Sequence, residues 1–384
     1  MEYKKIGELT SVVTGGTPKT SHPEYWENGE IPWLQSGCCQ NCDVYSSEKY
    51  ITKEGYDNSS TRLMPADTVM IALTGATAGK IGYLRFEACG NQSITGIFPC
   101  NSLNQRYLFY FLISQRERIL SDCIGGAQPH ISQGYVKDIK IPIPTMEEQQ
   151  SIVKRLETTR QLIDQRQNEI KLLDQLIKAR FVEMFGDPIN NDKGWKTASV
   201  ESLCTEIYGG GTPSKAHPEY YKDGDIPWVS SKDMKCEVIK DSQIKINQLG
   251  VENSTARMVP VNSVIIVIRS GILKHTLPVA INAVPITINQ DLKAFIPNEL
   301  VLAKFLSVQF KMHEKDILSG VRAVTADNIE FNSLKQREMI VPPIELQQQY
   351  DVFLSQVDKS RFVIQKALDE AQLLFDSLMH EYFE

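Results

Sequence analysis

One sequence pattern occurs twice in this chain, and the repeat constrains the fold more than any other feature. The first copy has Gly-Gly-Thr-Pro at 15–18, His-Pro-Glu-Tyr at 22–25 and Ile-Pro-Trp at 31–33, and the second has the same motifs with the same spacing at 210–213, 217–220 and 226–228. Solenoid repeats have periods of about 20 to 50 residues. The much longer period of this repeat predicts a duplicated domain.

Length and composition are those of a globular protein with two domains. The 384 residues are enough for two separate cores. Hydrophobic residues make up 42% and charged residues 23%, and no stretch approaches the about 18 apolar residues of a membrane span. The first five residues lead into no apolar signal core. We expect a soluble, cytoplasmic protein whose eight cysteines are mostly reduced.

Each copy ends with an apolar run, prolines, a glutamine cluster and a long segment of helical period. Apolar positions in both segments alternate in steps of three and four, which is the spacing of a coiled-coil seam. About 40 helical residues span roughly 60 Å, and two similar seams most simply pair with each other, so we expect a spacer. The predicted seam residues are Ile152, Leu156, Ile163, Ile170, Leu173, Ile177, Leu354, Val357, Ile364, Leu368, Phe375 and Leu378.

The pattern inside each copy is mixed and predicts an α+β fold, with two similar globular domains joined by two long helices. Apolar runs at 69–73 and 264–268 indicate buried strands, and 106–120 and 300–318 have helical periodicity. Gly186 followed by Pro188 is typical of a helix stop. The predicted boundaries are a globular domain at 1–145, a central helix at 146–185, a second globular domain at 186–343 and a C-terminal helix at 344–384.

Further apolar residues flank the first seam and make its stripe wider than one partner helix needs. These are Leu162, Leu172 and Leu176. A second protein could dock on them, or they could contact the adjacent globular domain. The sequence favours neither interpretation.

A metal site has weak support. Cys38, Cys39 and Cys42 contain one C-x-x-C spacing, which could be half of a zinc site. The second copy has Asp233, Met234 and Glu237 at the matching places, and no second such pair occurs. An ordinary loop is the favoured interpretation, and we predict no metal.

Catalytic motifs are also weak. Residues 75–80 resemble a phosphate-binding loop, but only three residues separate the glycines and Ile81 follows Lys80. His22 and His217 occupy matched places, which favours a structural role in each copy over a catalytic pair. We predict that this chain is not an enzyme and binds no cofactor.

Charge excludes binding to nucleic acid by bulk attraction alone, since the formal net charge is -6. The acid excess lies mainly in residues 344–384, which have eight acidic and three basic residues. The two globular domains are close to neutral, so each has room for a local basic face.

Polar loops that differ between the copies are the candidates for contact with DNA. The copies diverge most at 35–41 and 230–236, where Gln, Asn, Lys and Asp side chains could supply donors and acceptors to base edges. Drift in a surface loop is the alternative. The candidate DNA-binding residues are Lys19, Gln35, Ser36, Asn41, Lys80, Gln128, His130, Lys215, Ser231, Lys232, Lys235, Arg269, Lys274 and Arg322.

Taken in order, these motifs resemble the DNA-specificity subunit of type I restriction-modification systems. The resemblance rests on the Gly-Gly-Thr-Pro and Ile-Pro-Trp motifs, Thr-Gly-Ala-Thr-Ala-Gly-Lys-Ile-Gly at 74–82, Asn91-Gln92, the Ile-Pro-Ile-Pro strand, Glu-Glu-Gln-Gln at the helix start and Phe-Val-Glu-Met-Phe-Gly-Asp at 181–187. It covers essentially the whole chain. Each motif is weak alone, but their order and repetition are specific.

The resemblance implies two target recognition domains that each read one half of a split DNA site, held apart by two antiparallel helices. It further implies a non-catalytic subunit that recruits two methyltransferase subunits and, in the full complex, restriction subunits. S-adenosylmethionine, ATP and magnesium would then bind to those partners and not to this chain.

One departure affects the candidate sites. The second copy has Arg269-Ser270-Gly271 where the first has Thr-Gly-Ala, so a role of Lys80 does not pass directly to Lys274. Three alternatives stay open: a self-contained enzyme, a coiled-coil scaffold without a DNA role, and the specificity subunit of a type II system with fused methylation and cleavage functions.

Overall fold

The structure is a computed structural model that describes residues 2–122, 130–320, 322–323 and 327–383, with the backbone alone for Arg322, Ala323 and Asp327. The chain divides into two compact units. Unit 1 comprises Met1–Asn168 and Gln365–Glu384, and unit 2 comprises Glu169–Ile364. Each unit therefore contains one copy of the repeat and a part of each long helix.

In the described part of unit 1 the strands form two main sheets and one short pair. The five-stranded sheet has the order β2-β10-β7-β8-β4, the four-stranded sheet has the order β5-β3-β9-β6, and β1 pairs with β11. These strands are β1 (Tyr3–Lys5), β2 (Val12–Thr14), β3 (Ile31–Leu34), β4 (Cys42–Val44), β5 (Lys49–Ile51), β6 (Leu63–Met64), β7 (Val69–Ala72), β8 (Ile81–Leu84), β9 (Ala88–Gly90), β10 (Ile94–Ile97) and β11 (Lys140–Pro142).

Unit 2 repeats these two sheets and the short pair, and its described residues add one further pair, β22 with β23. Its sheets have the orders β13-β21-β18-β19-β15 and β16-β14-β20-β17, and β12 pairs with β24. The strands are β12 (Thr197–Ser199), β13 (Cys204–Gly209), β14 (Ile226–Val229), β15 (Val238–Ile239), β16 (Lys245–Ile246), β17 (Met258–Val259), β18 (Val264–Val267), β19 (Val279–Asn282), β20 (Ile286–Ile288), β21 (Leu292–Pro297), β22 (Arg322–Ala323), β23 (Asp327–Asn328) and β24 (Glu338–Ile340). The duplication predicted from the sequence is thus a duplication of the fold.

The short helices pack against these sheets, and two long helices correspond to the predicted segments of helical period. They are α1 (Ile6–Leu9), α2 (Lys53–Asp57), α3 (Gln105–Ser114), α4 (Arg116–Asp122), α5 (Gln133–Asp138), α6 (Met146–Phe185), α7 (Gln248–Glu252), α8 (Ala303–Met312), α9 (Glu314–Ser319), α10 (Phe331–Lys335) and α11 (Ile344–Phe383). The mixed fold with two similar globular parts and two long helices confirms the predicted fold class.

The predicted helices at 106–120 and 300–318 are each wrong as single helices. The first breaks at Gln115 and the second at His313, where both residues have ψ near zero and cap the preceding helix. The second helix also starts at Ala303, because Asn298 accepts a hydrogen bond from the Leu300 backbone (Oδ1 to N, 3.0 Å) and holds the preceding residues in a turn.

The seam residues of the long helices pack within each unit. In unit 1, Leu156, Ile163 and Phe375 belong to the buried core that also holds α3. In unit 2, Leu354 is buried and Ile177 packs against the same core as Tyr350. In unit 2 the helix segments run antiparallel, since Asp174 contacts Arg361 and Ile177 contacts Tyr350. In unit 1 the segments meet where Arg155 donates to the Tyr382 hydroxyl at 3.1 Å.

Helix α6 ends where the glycine stop is predicted. Gly186 has a φ of 77°, in the left-handed region that favours glycine. Its N–H donates to the Val182 carbonyl at 2.8 Å, which satisfies one of the last carbonyls of the helix.

Candidate nucleic-acid interface

The Gly-Gly-Thr-Pro loop is held against the connection between two neighbouring strands. In unit 1, Gly15 N donates to Ile94 O at 3.0 Å and Gly16 N donates to Gly90 O at 2.9 Å. A Cβ atom on Gly15 would overlap the Gly90 carbonyl, so this close approach requires glycine. The Trp33 indole then donates to the Gly16 carbonyl at 2.9 Å, which fixes the loop to β3.

The same contacts recur in unit 2. Gly211 N donates to Ile288 O at 3.0 Å, and the Trp228 indole donates to Gly211 O at 2.9 Å. The two loops also share a side-chain contact, because the Thr17 hydroxyl bonds the Gln92 amide oxygen and the Thr212 hydroxyl bonds that of Gln290. The two units therefore hold their Gly-Gly-Thr-Pro loops by the same set of hydrogen bonds, which we call the frame.

The end of β3 joins this loop cluster. Asn91 N donates to Leu34 O at 2.9 Å in unit 1, and Asn289 N donates to Val229 O at 2.9 Å in unit 2. Gln35 and Ser230 follow directly, so the divergent loops at 35–41 and 230–236 begin beside the shared frame.

A fourth segment comes from the end of the central strand of the five-stranded sheet. Leu73 N donates to Ser93 O at 2.8 Å and the Thr74 hydroxyl donates to Ser93 Oγ at 3.0 Å. The equivalent residues in unit 2 are Arg269 and Asp291, which form an ion pair with 2.6 Å between Nη2 and Oδ1. We call these convergent ends the loop edge, defined in unit 1 by Thr17, Gln35, Thr74, Gln92 and Ser93 and in unit 2 by Thr212, Ser230, Arg269, Gln290 and Asp291.

Several of the predicted DNA-binding residues lie at or beside the loop edge. Lys19 and Lys215 follow the Gly-Gly-Thr-Pro loops and are exposed, as is Gln35. His130 is exposed next to Ile131, whose N–H donates to Leu73 O at 3.0 Å.

Lys80 and Asn41 lie at the same end of the sheet but are engaged locally. Lys80 Nζ donates to Gln40 Oε1 at 2.7 Å, and Asn41 Oδ1 accepts from Ile81 N at 2.9 Å. Asn41 has a φ of 59°, so it also shapes the turn. The amide oxygen of Asn41 is thus already used within the loop.

The divergent loop of unit 2 is organised by Asp233. Its carboxylate accepts from Ser230 N at 2.9 Å and from Gln243 N at 2.9 Å. Lys232 and Lys235 of this loop are exposed, as is Lys274 between β18 and β19, and Ser36 and Ser231 are half-buried. Gln128 lies outside the described residues, and only the backbone of Arg322 is described.

The repeated His-Pro-Glu-Tyr motifs each form a closed turn. His22 Nδ1 bonds Glu24 Oε1 at 2.7 Å and stacks on Tyr25, and His217 bonds Glu219 at 2.8 Å and stacks on Tyr220. The hydrogen bond from His22 lowers the pKa of Glu24. These contacts favour the structural role expected for both histidines.

Each globular part is fixed to a long helix by an ionic network that the sequence did not indicate. In unit 1, Asp43 bonds both Arg85 and Arg106, and Arg106 also pairs with Glu157 of α6 at 2.9 Å. Burial raises the pKa of Asp43, but the bonds and charges of the two arginines outweigh it and hold this pKa below its usual value. In unit 2, Lys304 pairs with Asp351 and Asp358 of α11. No spacing rule links residues so distant in sequence.

Among the residues that the structure describes, no three His, Cys, Asp or Glu side chains are grouped so that they could hold a metal ion. Within the same residues, no helix is both long and apolar enough to cross a membrane.

Two restriction enzyme specificity subunits are similar to this chain over nearly its whole length. The chain is 25% identical to the type I restriction enzyme MjaIX specificity subunit of Methanocaldococcus jannaschii, covering 98% of this chain and 91% of the relative. It is 28% identical to the EcoR124I/EcoR124II specificity subunit of Escherichia coli, covering 93% and 87%.

Solved structures share the fold. The S subunit of a type I restriction-modification system from M. genitalium matches with a TM-score of 0.60 and 14% identity over 100% of this chain and 96% of its own. A structure solved to explain complex assembly and conformational transition of the type I restriction-modification system matches with a TM-score of 0.57 and 16% identity. The match covers 100% of this chain and 97% of the other.

The family described as the type I restriction modification DNA specificity domain matches this chain twice, at residues 1–172 and 192–371. Because the two matches coincide with the two copies of the fold and together cover most of the chain, the protein belongs to the type I restriction-modification DNA specificity family.

Proposed function

We propose that this chain recognises a bipartite, asymmetric and interrupted DNA site, one half-site for each unit, and directs methyltransferase and restriction subunits to it. One observation carries the proposal: the two loop edges share a frame and differ in the polar residues that the frame presents. The frame contacts are the Trp–Gly and Thr–Gln hydrogen bonds of each unit.

The differences lie where base contacts would be made. Unit 1 presents Gln35 with the Thr74–Ser93 pair, whereas unit 2 presents Ser230 with the Arg269–Asp291 pair. Base edges in the major groove carry distinct patterns of donors and acceptors. Two units with the same frame but different side chains would therefore read two different half-sites.

Exposed lysines beside the loop edge supply the phosphate contacts that would position each unit. Unit 1 has Lys19, and unit 2 has Lys215, Lys232, Lys235 and Lys274. Such contacts fix register on the duplex without reading its sequence. The near neutral globular parts can bind DNA by these local groups despite the acidic net charge.

The long helices would set the number of base pairs between the half-sites. Both α6 and α11 are 40 residues long, and their segments contact each other in each unit. Buried glutamines at the first turn of each helix tie it to the adjacent globular part (Gln149 to Asn104, and Gln347 to Leu302). A stiff connection of this kind would transmit helix length to the spacer.

Apolar residues exposed on the helices in unit 2 are the proposed docking surface for the methyltransferase subunits. Leu172 and Leu176 on α6 are 51% and 46% exposed, and Phe362 and Val363 on α11 are 72% and 66% exposed. Contiguous exposed apolar patches commonly mark protein contacts, and Leu172 and Leu176 lie one helical turn apart on the same face of α6. Leu172 and Leu176 do not bury themselves on the globular part of unit 2, which favours the docking interpretation over the packing one.

Catalysis and cofactors would belong to the partners. S-adenosylmethionine would bind to the methyltransferase subunits, and ATP and magnesium to the restriction subunits. The purified chain alone is expected neither to methylate nor to cut DNA, and either activity would favour a self-contained enzyme.

The direct test maps adenine methylation in genomic DNA from cells that express this chain together with the methyltransferase encoded by a neighbouring gene. We expect one asymmetric motif with two defined parts and a fixed gap. A control lacking this chain should lose that motif. Methylation that does not depend on the chain would refute the proposal and favour a scaffold. A cutting and methylating activity in one fused partner would assign the chain to a type II system.

A further inference from the structure

We infer that Arg269, braced by Asp291, reads a guanine in the half-site of unit 2, and that the Thr74–Ser93 pair replaces it at the same place in unit 1. The inference rests on the proposed function. It goes further by assigning one base to one side chain.

The two pairs occupy equivalent backbone positions. Leu73 N donates to Ser93 O at 2.8 Å, and Ile268 N donates to Asp291 O at 2.9 Å. The residues at these strand ends also accept a hydrogen bond from a later segment of the chain. Ile131 N donates to Leu73 O at 3.0 Å, and Ile329 N donates to Ile268 O at 2.8 Å. Thr74 and Arg269 therefore leave the sheet at the same point of the fold.

The guanidinium of Arg269 is held along one edge. Its Nε donates to Asp291 Oδ1 at 2.7 Å, and Nη2 lies 2.6 Å from the same oxygen. The carboxylate is fixed in turn by Asn289, whose Nδ2 donates to Asp291 Oδ2 at 3.2 Å and whose Oδ1 accepts from Asp291 N at 3.0 Å. Asn289 is buried, so the brace is anchored in the frame.

The opposite edge of the guanidinium suits guanine. Asp291 engages Nε and one side of Nη2, and the Arg269 side chain is 50% exposed while that of Asp291 is 23% exposed. The planar fork of arginine matches O6 and N7 of guanine with two parallel hydrogen bonds. Bracing reduces the rotamer freedom that binding would otherwise remove.

Unit 1 lacks this fork. The Thr74 hydroxyl donates to Ser93 Oγ at 3.0 Å, and a hydroxyl makes single hydrogen bonds that distinguish bases poorly. The equivalent position of the other half-site should therefore show no guanine preference from this pair.

The test uses the complex of this chain with its methyltransferase subunits and a library of randomised DNA duplexes. The wild-type complex should select a bipartite motif with a guanine in one half. The double variant Arg269→Thr with Asp291→Ser should lose preference for that guanine by about 5- to 150-fold and keep every other position. Arg269→Lys should lose most of it as well, because lysine cannot present the fork.

A matched control removes another exposed ion pair of unit 2. Arg180 and Glu183 pair on α6 at 2.7 Å, and Arg180→Thr with Glu183→Ser should leave the motif unchanged. The reverse exchange, Thr74→Arg with Ser93→Asp, should add a guanine preference to the other half-site. Thermal unfolding of each variant separates a change of reading from a loss of fold.

The outcomes separate a failure of this inference from a failure of the proposed function. A wild-type complex that selects no motif refutes the proposed function. A wild-type motif that stays unchanged in the Arg269 variants overturns this inference alone. Equal weakening at all sequences, with a salt slope reduced by about one, identifies Arg269 as a phosphate contact and also overturns it.

Discussion

The Asn104 backbone N–H donates to the side-chain oxygen of Gln149 at 2.8 Å, so the start of α3 is bonded to the first turn of α6. The other end of the same amide donates to Pro144 O at 3.0 Å. Gln347 repeats both bonds in unit 2, with Leu302 N at 2.9 Å and Pro342 O at 2.9 Å. Both glutamines are buried.

Replacing Gln149 by Leu should lower the free energy of unfolding by about 1–3 kcal/mol, because backbone groups of Asn104 and Pro144 lose their partner. Urea unfolding of the chain measures this. The neighbouring Gln150 is exposed, and Gln150→Leu should stay close to wild type. Equal losses in both variants would contradict the assigned role of Gln149.

The close approach of Gly15 to Gly90 gives a second prediction. Gly15→Ala should destabilise the chain by about 1–3 kcal/mol, since the added methyl has to displace a backbone carbonyl. In the neighbouring loop Gly37 has no atom within 4 Å of the equivalent position, and Gly37→Ala should be tolerated. Thermal unfolding compares the two, and an unaffected Gly15 variant would show that the loop moves freely.

The spacer role of the helices predicts an effect of length. Deleting 164–170 from α6 together with 365–371 from α11 removes one heptad from each and keeps the seam in phase, while shortening each helix by about 10 Å. Methylation mapping should show a shorter gap between the half-sites or no methylation. An unchanged gap would contradict the ruler role. A deletion of one heptad from α6 alone serves as a mismatched control and should impair folding.

The parts of the fold that sequence could predict are those that leave a regular pattern in the chain. The repeat is visible when the two halves of the sequence are compared, and the three-four spacing of residues such as Leu156 and Leu354 depends on near neighbours. The duplicated domain and the two long helices predicted from these patterns are confirmed. The breaks at Gln115 and His313 were missed because the apolar pattern continues through them.

The candidate site was harder to predict. Arg269 is recognisable as a charged residue in a loop, but its brace, Asp291, lies in the turn directly before the neighbouring strand β21, and only the register of β18 against β21 brings the two together. The Thr17–Gln92 contact has the same origin. A signal did exist, since Asn-Gln occurs at 91–92 and again at 289–290, but its offset differs from that of the earlier motifs.

A buried histidine predicts pH dependence in unit 2. Burial, assisted by the charge of Arg337, lowers the pKa of His313 to about 4, below its ordinary value of 6.5. His313 is therefore neutral in the folded state while the unfolded chain takes up a proton, so its stabilising effect is complete above pH 6.5 and is lost as the pH falls toward 4. The largest loss is about 3 kcal/mol. His313→Gln should flatten this part of the pH profile of unfolding, whereas His275→Gln, at an exposed position, should leave it unchanged.

The proposed docking surface gives a prediction about assembly. Phe362→Ser and Leu172→Ser remove exposed apolar side chains that lie outside the core, so the melting temperature of the isolated chain should stay within a few degrees of wild type. Loss of a well-packed interface anchor typically costs about 2 kcal/mol or more, and the affinity for the methyltransferase subunit should fall roughly 30-fold or more. Titration calorimetry with the purified subunit measures this. Lys359→Ser, at a neighbouring exposed position of α11, is the control and should bind normally. Full affinity in both apolar variants would place the methyltransferase contact elsewhere on the chain.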